Sequence, residues 1–222
     1  MDLVRFLTDD GVRLEGALRM PDGDARGSAV ICHPHPEHGG SKDHPILWAL
    51  RNELAAARRL AVLGFNFRGV MGSGGGYGGG REEVRDAHAA ITRVREEVPD
   101  LPTVVCGWSF GASVALREAL DDRRVTALVL IGMPLQPSDL DLPALPDTAE
   151  LEAFGRPVLV LTGDRDGYCP VTDARAFAAS LPRGRLHVVE GTDHYLGRRE
   201  REAASVVGAF VDDVLGQPGS WW

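Results

Sequence analysis

The stretch TVVCGWSFGASVAL, residues 103–116, constrains the fold of this 222-residue chain more than any other segment. An apolar run typical of a buried strand leads into GWSFG, and a run of small residues typical of a helix follows. A G-x-S-x-G motif needs this order of strand, sharp turn and helix, because its serine occupies a strained backbone that projects the hydroxyl. The flanking glycines avoid collisions with neighbouring backbone. The motif predicts Ser109 as a nucleophile at the end of a strand.

Apolar runs alternate with helical patterns along the chain. Apolar residues recur at helical spacing in 46–54, 84–98 and 203–214. This alternation predicts an α/β fold with about eight strands in a mostly parallel sheet and helices on both faces. The first two strands are close in sequence, so we expect an antiparallel hairpin there. The predicted strands are 3–7, 13–19, 28–33, 60–67, 103–108, 127–131, 158–162 and 186–189.

Composition limits the classes of function. The length fits one domain over 1–222, and a net charge of −8 argues against a nucleic-acid partner. No apolar stretch approaches the roughly 18 residues of a membrane span, and the first residues lack a hydrophobic signal core. We therefore expect a cytoplasmic protein with no membrane partner. Cys32, Cys106 and Cys169 are odd in number and are expected to be free thiols.

A serine needs a base and a group that orients the base. Candidates for both roles follow the last two predicted strands, and parallel strands bring their carboxyl ends to one edge of a sheet. His187 is a rival base, but it lies within a predicted strand and is expected to pack against a helix. The candidates are Asp164 and Asp166 after the seventh strand, and Asp193 and His194 after the eighth.

The loop HPHPEHGG, which follows the third predicted strand, is suited to binding an oxyanion. Such a site uses two backbone N–H groups, one from the residue after the serine and one from this loop. Phe110 supplies the first. Proline has no N–H group, so Pro34 and Pro36 cannot donate. His35 is the candidate for the second donor, with Glu37 as the alternative.

The same segment raises the alternative of a metal site, because it is rich in histidine. Its x-Pro-x-Pro backbone is extended, and no cysteine or carboxylate pattern completes a closed zinc site. We therefore expect no metal. The four potential ligands are His33, His35, His38 and His44.

Residues 69–80, GVMGSGGGYGGG, contain Gly74, Gly76 and Gly79 at the spacing of a dinucleotide fingerprint. That fingerprint also needs an acidic residue about 20 positions later, at the end of the next strand. Here that strand ends in CGW. The stretch is therefore interpreted as a flexible surface loop near a pocket, and no cofactor is expected.

Together these segments resemble the α/β-hydrolase superfamily, and most closely small bacterial serine hydrolases and esterases near the dienelactone-hydrolase branch with an HPHP-x-x-GG loop. The resemblance extends over 13–210 and implies an α/β-hydrolase fold with Ser109, Asp166 and His194 as the catalytic triad. Two departures concern the pocket edge: 69–80 is glycine-heavy, and Cys169 replaces a small aliphatic residue. The matching segments are HPHPEHGG, NFRGV at 66–70, GWSFG, GDRD at 163–166 and the pair Asp193-His194.

The resemblance implies a serine hydrolase that cleaves carboxylic esters of small or accessible substrates through an acyl-enzyme. A dienelactone hydrolase proper is expected to use a cysteine nucleophile, so Ser109 argues against that activity. The same triad could serve an acyltransferase, a thioesterase or a cyclase. A ligand-binding protein without turnover is the alternative outside enzymes.

The sequence also leads to expectations about the substrate pocket, a possible cap and the C-terminal tail. Trp108, Tyr195 and Met133 are expected to line the substrate pocket. The Pro-rich connection 133–157 is a candidate for a short cap, too short for a large lid. The tail 216–222 ends in two tryptophans, Trp221 and Trp222, which are large to leave in water and suggest a homodimer.

Overall fold

The computed structural model describes residues 1–136, 140 and 142–216. Eight strands form one sheet in the order β1-β2-β4-β3-β5-β6-β7-β8. The strands are β1 (Asp2–Leu7), β2 (Arg13–Arg19), β3 (Gly27–Cys32), β4 (Leu60–Asn66), β5 (Thr103–Trp108), β6 (Val125–Ile131), β7 (Val158–Gly163) and β8 (Gly184–Val189). The helices are α1 (Pro45–Asn52), α2 (Glu82–Arg95), α3 (Phe110–Asp121), α4 (Thr148–Ala153), α5 (Val171–Ser180) and α6 (Glu200–Gly216).

The sheet is mostly parallel, which confirms the predicted fold class. β1 pairs with β2 and β2 with β4 in antiparallel register, and every later pair is parallel. The crossovers between the parallel strands are helical, as parallel pairing requires. This topology collects the carboxyl ends of β3, β5, β6, β7 and β8 at one edge.

Helices cover both faces of the sheet because the central strands are apolar on both sides. Along β3, Val30 and Cys32 face the core under α2, α3 and α5, while Ala29 and Ile31 face the core under α1 and α6. Strands buried on two faces read as continuous apolar runs rather than as alternating ones. This explains why VVC before the GWSFG motif has no polar residue.

The sequence patterns did not predict two of the helices, α4 and α5. α5 carries its buried residues at Ala174, Phe177 and Ala178, a helical spacing filled mostly by alanine. α4 is short, lies within the predicted cap segment 133–157, and begins with a capping box between Asp147 and Glu150. Both helices have a weak apolar periodicity in the sequence, because short or alanine-rich helices bury little apolar surface.

Other parts of the chain bear on the remaining expectations. Cys32, Cys106 and Cys169 are buried free thiols. Across the described ranges, no helix combines the length and apolar character that crossing a membrane requires. Trp221 and Trp222 lie outside the described residues, so the expectation of a homodimer stays a prediction.

Candidate active site

Ser109 lies in a strained turn between β5 and α3. Its φ is 55° and its ψ is −121°, a conformation that residues with a side chain rarely adopt. Close contacts with neighbouring backbone require glycine at both flanking positions of the motif. A Cβ at Gly107 would lie 2.2 Å from the carbonyl oxygen of Gly111, and a Cβ at Gly111 would lie 2.4 Å from that of Cys32. The sharp turn therefore exists only because both flanking positions lack a side chain.

His194 and Asp166 meet Ser109 at the carboxyl edge of the sheet. Nε2 of His194 lies 2.9 Å from Oγ of Ser109, and its Nδ1 lies 2.9 Å from Oδ2 of Asp166. A carboxylate can only accept, so Nδ1 carries the proton and Nε2 remains to accept from the serine hydroxyl. All three residues are buried. The arrangement can move a proton from Ser109 to His194.

The surroundings of Asp166 keep its carboxyl group ionised. Burial raises its pKa, but the hydrogen bond and charge of His194, together with two backbone N–H groups, outweigh burial and lower the pKa below the usual value. Those N–H groups belong to Tyr168 and Cys169, and they donate to Oδ1 at 2.9 and 3.0 Å. An ionised carboxylate is what fixes the imidazole in the productive tautomer.

The other candidates from the sequence have different positions. Oδ1 of Asp164 accepts the N–H of Thr192 at 3.0 Å, and Oδ1 of Asp193 accepts the N–H of Tyr195 at 3.0 Å. Both carboxylates therefore brace the loop that carries the imidazole. His187 lies within β8, where it pairs in register with Leu161 of β7; its packing against a helix stays a prediction.

Trp108 and Gly132 contact the triad in ways that the sequence did not predict. The indole N–H of Trp108 donates to the carbonyl oxygen of His194 at 3.2 Å. Gly132, directly after β6, has a φ of +52°, and a Cβ there would lie 3.0 Å from Oδ2 of Asp166 and 3.2 Å from the His194 ring. In the sequence, the close approach of Gly132 to Asp166 and His194 is indicated only by a glycine directly after a predicted strand, in IGM.

The HPHPEHGG loop folds around His35. Nδ1 of His35 accepts the N–H of Glu37 at 3.3 Å and so caps the short 3₁₀ helix Pro36–His38. Because this bond uses the N–H of Glu37, His35 is the stronger of the two candidates for the second oxyanion donor. The other candidate donor, Phe110, is the first residue of α3 and directly follows Ser109.

His33 anchors the start of this loop. Its Nδ1 donates to the carbonyl oxygen of Pro34 at 2.6 Å, and its Nε2 accepts the N–H of Phe67 at 3.0 Å. Burial lowers the pKa of His33 to about 4, so the ring is neutral at pH 7. Both ring nitrogens are engaged by backbone, which leaves neither for a metal ion. Histidine here holds the backbone.

An open cleft leads to Ser109. Of the residues expected in the pocket, Trp108 and Tyr195 line this cleft. Met133 does not, because it is fully buried in the core under α2, α3 and α5. The described lining residues are Pro34, His35, His38, Gly39, Gly40, His44, Trp108, Ser109, Leu140, Tyr168, His194 and Tyr195.

The glycine-rich segment is anchored by hydrogen bonds and not a free flexible loop. The N–H of Gly69 donates to the carbonyl oxygen of Gly74 at 2.9 Å. The N–H of Gly74 donates to the carbonyl oxygen of Arg13 on β2 at 2.8 Å. Oη of Tyr77 lies 3.0 Å from Nε2 of His35. The segment therefore lies near the pocket, as expected, and it reaches the loop of the candidate oxyanion donor.

A cluster outside the cleft has the donor set of a metal ion. His88, Glu118 and Asp122 place one ligand atom each within 4.8 Å of one another. The guanidinium of Arg124 already lies 2.6 Å from Oδ2 of Asp122 and 3.3 Å from Nε2 of His88. A fixed cation in contact with two of the three ligands opposes a second one, so this cluster is an ion-pair network.

A parallel sheet with a strained serine between strand and helix, and an acid and a histidine after the last two strands, defines an α/β hydrolase. The family described as alpha/beta hydrolase domain matches residues 29–212, and the chain belongs to it.

The chain is similar to a crystal structure from Agrobacterium tumefaciens, described as a protein of unknown function and candidate α/β hydrolase, with a TM-score of 0.82, 25% identity and coverage of 97% of both chains. It is also similar to an α/β serine hydrolase homologue from Coxiella burnetii, with a TM-score of 0.81, 25% identity, and coverage of 95% of this chain and 97% of that one. An uncharacterized protein from Rickettsia prowazekii is 24% identical over 206 residues, 90% of this chain and 84% of that protein. The two solved structures, by their descriptions, support a hydrolase.

Proposed function

We propose that this protein is a serine hydrolase that cleaves carboxylic esters through Ser109, His194 and Asp166. One observation carries the proposal: Nε2 of His194 lies 2.9 Å from Oγ of Ser109 while Nδ1 of the same ring contacts Asp166. Nucleophile, base and orienting carboxylate are thus joined in one row of hydrogen bonds, which is the requirement for activating a serine.

In the proposed reaction, His194 takes the hydroxyl proton as Oγ of Ser109 attacks the ester carbonyl carbon. The tetrahedral oxyanion accepts hydrogen bonds from the N–H groups of Phe110 and His35. Collapse of the intermediate breaks the bond to the alcohol oxygen, which leaves with the proton from His194. Water then attacks the acyl-enzyme with His194 again as base, and Ser109 is released with its proton.

The cleft supports small or accessible uncharged substrates. Its described lining has no Asp, Glu, Lys or Arg, and its walls carry aromatic rings, among them Trp108, Tyr168 and Tyr195. Removing a charged group from water without a partner is costly, so such a lining favours neutral acyl and alcohol groups. Because the cleft is open, water reaches the acyl-enzyme, which favours hydrolysis over acyl transfer. The reaction uses no cofactor.

Within the family we place the chain near the small-esterase and dienelactone-hydrolase branch. The HPHPEHGG loop and the NFRGV segment support this placement. Serine in place of cysteine supports ester cleavage over the dienelactone reaction.

Hydrolysis of short p-nitrophenyl esters tests the proposal. Ser109→Ala should lower kcat by at least about 10³-fold with an unchanged circular dichroism spectrum, because the remaining groups cannot form the acyl-enzyme. Ser205→Ala, at an exposed position on α6, is the control and should keep wild-type kcat. Turnover retained in Ser109→Ala would refute the assignment. A wild-type protein that binds esters without cleaving them would support the ligand-binding alternative.

A further inference from the structure

Tyr77 connects the glycine-rich segment to the loop that carries the candidate oxyanion donor His35. Its Oη lies 3.0 Å from Nε2 of His35, and the ring centroids are 4.9 Å apart. Tyr77 is half-buried and packs against the core under α2 and α3, whereas His35 is only 6% exposed. The contact therefore lies in a sheltered place, where a hydrogen bond is stronger than at the surface.

The hydrogen bonds of His35 define its tautomer. Its Nδ1 accepts the N–H of Glu37, so the ring proton sits on Nε2 and is donated to the oxygen of Tyr77. The side chain of His35 is thus held at both ring nitrogens. Because its own backbone N–H is the proposed second oxyanion donor, fixing the ring also restricts the rotation of that peptide group.

Three rings pack together behind the oxyanion site. The ring of Phe110 lies 5.0 Å from the ring of His35 and 5.9 Å from the ring of Tyr77. Phe110 and His35 are the two residues whose backbone N–H groups are proposed to bind the oxyanion. The ring of Tyr77 packs against the side chains of both residues.

A buried carboxylate holds the segment that presents Tyr77. Glu83, in the first turn of α2, is fully buried, and its two carboxylate oxygens accept the N–H groups of Gly78 and Gly80 at 2.8 Å each. Gly80 has a φ of +80°, and a Cβ there would lie 2.6 Å from Pro143. The glycines let the segment bend closely enough for Glu83 to hold it directly after Tyr77.

We propose that Tyr77 is a positioning residue for the oxyanion hole, acting through the side chain of His35, with Glu83 holding the segment in place. The inference rests on the proposed function, in which the N–H groups of His35 and Phe110 stabilise the tetrahedral oxyanion. Tyr77 touches no reacting atom. It keeps the second donor aimed at the place where negative charge develops, so its hydroxyl matters more to the transition state than to bound substrate.

The test compares Tyr77→Phe with Ser73→Ala on p-nitrophenyl ester hydrolysis. Phenylalanine keeps the ring packing and removes only the hydroxyl. Ser73 lies in the same segment, where its Oγ accepts the N–H of Glu15 at 2.9 Å and donates to the carbonyl oxygen of Asn66 at 2.7 Å. Ser73→Ala therefore weakens the attachment of the segment without removing the bond to His35.

Loss of an oxyanion donor costs about 10²- to 10³-fold in rate, and a donor that is misaimed should cost part of that. Tyr77→Phe should lower kcat about tenfold and leave KM within about twofold. Its affinity for a trifluoromethyl ketone, which forms a tetrahedral oxyanion on Ser109, should fall by a similar factor. Ser73→Ala should keep wild-type kcat and ketone affinity.

Wild-type kcat and ketone affinity in Tyr77→Phe would overturn the proposal. An equal loss of kcat in Ser73→Ala would also overturn it, because anchoring of the segment would then explain the effect. Failure of the proposed function is seen separately, as turnover retained in Ser109→Ala. Glu83→Gln is the second variant; it should lower kcat in the same direction as Tyr77→Phe, and a wild-type kcat in a folded Glu83→Gln would remove Glu83 from the account.

Discussion

The indole N–H of Trp108 donates to the carbonyl oxygen of His194 at 3.2 Å. Trp108 ends β5 directly before the candidate nucleophile, and His194 lies on the loop after β8, at the far edge of the sheet. One hydrogen bond therefore joins the strand that presents the serine to the loop that presents the base. It adds to the hydrogen bonds by which the carboxylates of Asp164 and Asp193 brace the same loop.

Replacing Trp108 with phenylalanine should remove this bond while one aromatic ring remains at the position. Trp108→Phe leaves a buried carbonyl oxygen of His194 without its donor, which costs about 1–3 kcal/mol of unfolding free energy. We expect a loss in that range by urea denaturation, together with a fall of about threefold to tenfold in kcat. Trp48→Phe, at an exposed position on α1, is the matched control. Wild-type kcat in Trp108→Phe would show that the bond does not hold the base.

Gly132→Ala should disturb the pair of Asp166 and His194 directly. The new Cβ would lie 3.0 Å from Oδ2 of Asp166, at a φ of +52° that disfavours alanine. We expect kcat to fall about 10- to 100-fold, since small misplacements of reacting groups carry losses of this order. Gly23→Ala also has a positive φ but has open space around its Cβ. That control should cost about 1 kcal/mol of stability and leave kcat unchanged.

If the two glycine variants lose kcat equally, the crowding of Asp166 is not the cause. Esterase kinetics at saturating substrate and urea denaturation on the same preparations decide between these outcomes.

His33 predicts an acid-sensitive loop. Burial lowers its pKa to about 4 from an ordinary value of 6.5. Between these two pH values the unfolded chain binds a proton that the folded chain does not, so unfolding free energy falls as the pH drops from 6.5 towards 4. The stability from keeping this ring neutral is fully present above pH 6.5. We expect it to be on the order of 3 kcal/mol at pH 7, with most of it lost between pH 6.5 and pH 4.5 and the rest as the pH passes about 4.

The measurement is urea denaturation of the wild type and His33→Gln between pH 4.5 and 7.5. His33→Gln should be less stable at pH 7, because its amide cannot reproduce both backbone hydrogen bonds. Its stability should also change less than that of the wild type as the pH falls. If the unfolding free energies of the two proteins fall in parallel as the pH drops, His33 is not the cause of the loss of stability in acid.

The sheet and the residues around Ser109 were predictable because each depends on local pattern plus topology. Apolar runs gave all eight strands, with starts and ends shifted by at most two residues; β6, for example, begins at Val125 and was expected from 127. Parallel pairing then requires that side chains after neighbouring strands meet. That rule brings Ser109, Asp166 and His194 together without knowledge of any distance.

Other contacts could not be predicted because they depend on the path of segments without periodicity. The bond between Tyr77 and His35 requires the bend that Glu83 imposes on a run of glycines, and no spacing encodes it. Met133, which follows β6 closely, was expected in the pocket. The chain after Gly132 instead turns its side chain into the core. A strand end predicts the neighbourhood of a residue, but not the direction of its side chain.

Labelling with a fluorophosphonate at neutral pH, followed by peptide mapping, tests the central claim most directly. This reagent phosphonylates a serine only when a neighbouring base activates it. We predict a single adduct on Ser109 in the wild type and a labelling rate at least about 10²-fold lower in His194→Ala. No adduct on Ser109, or equal labelling rates in the two proteins, would contradict the account.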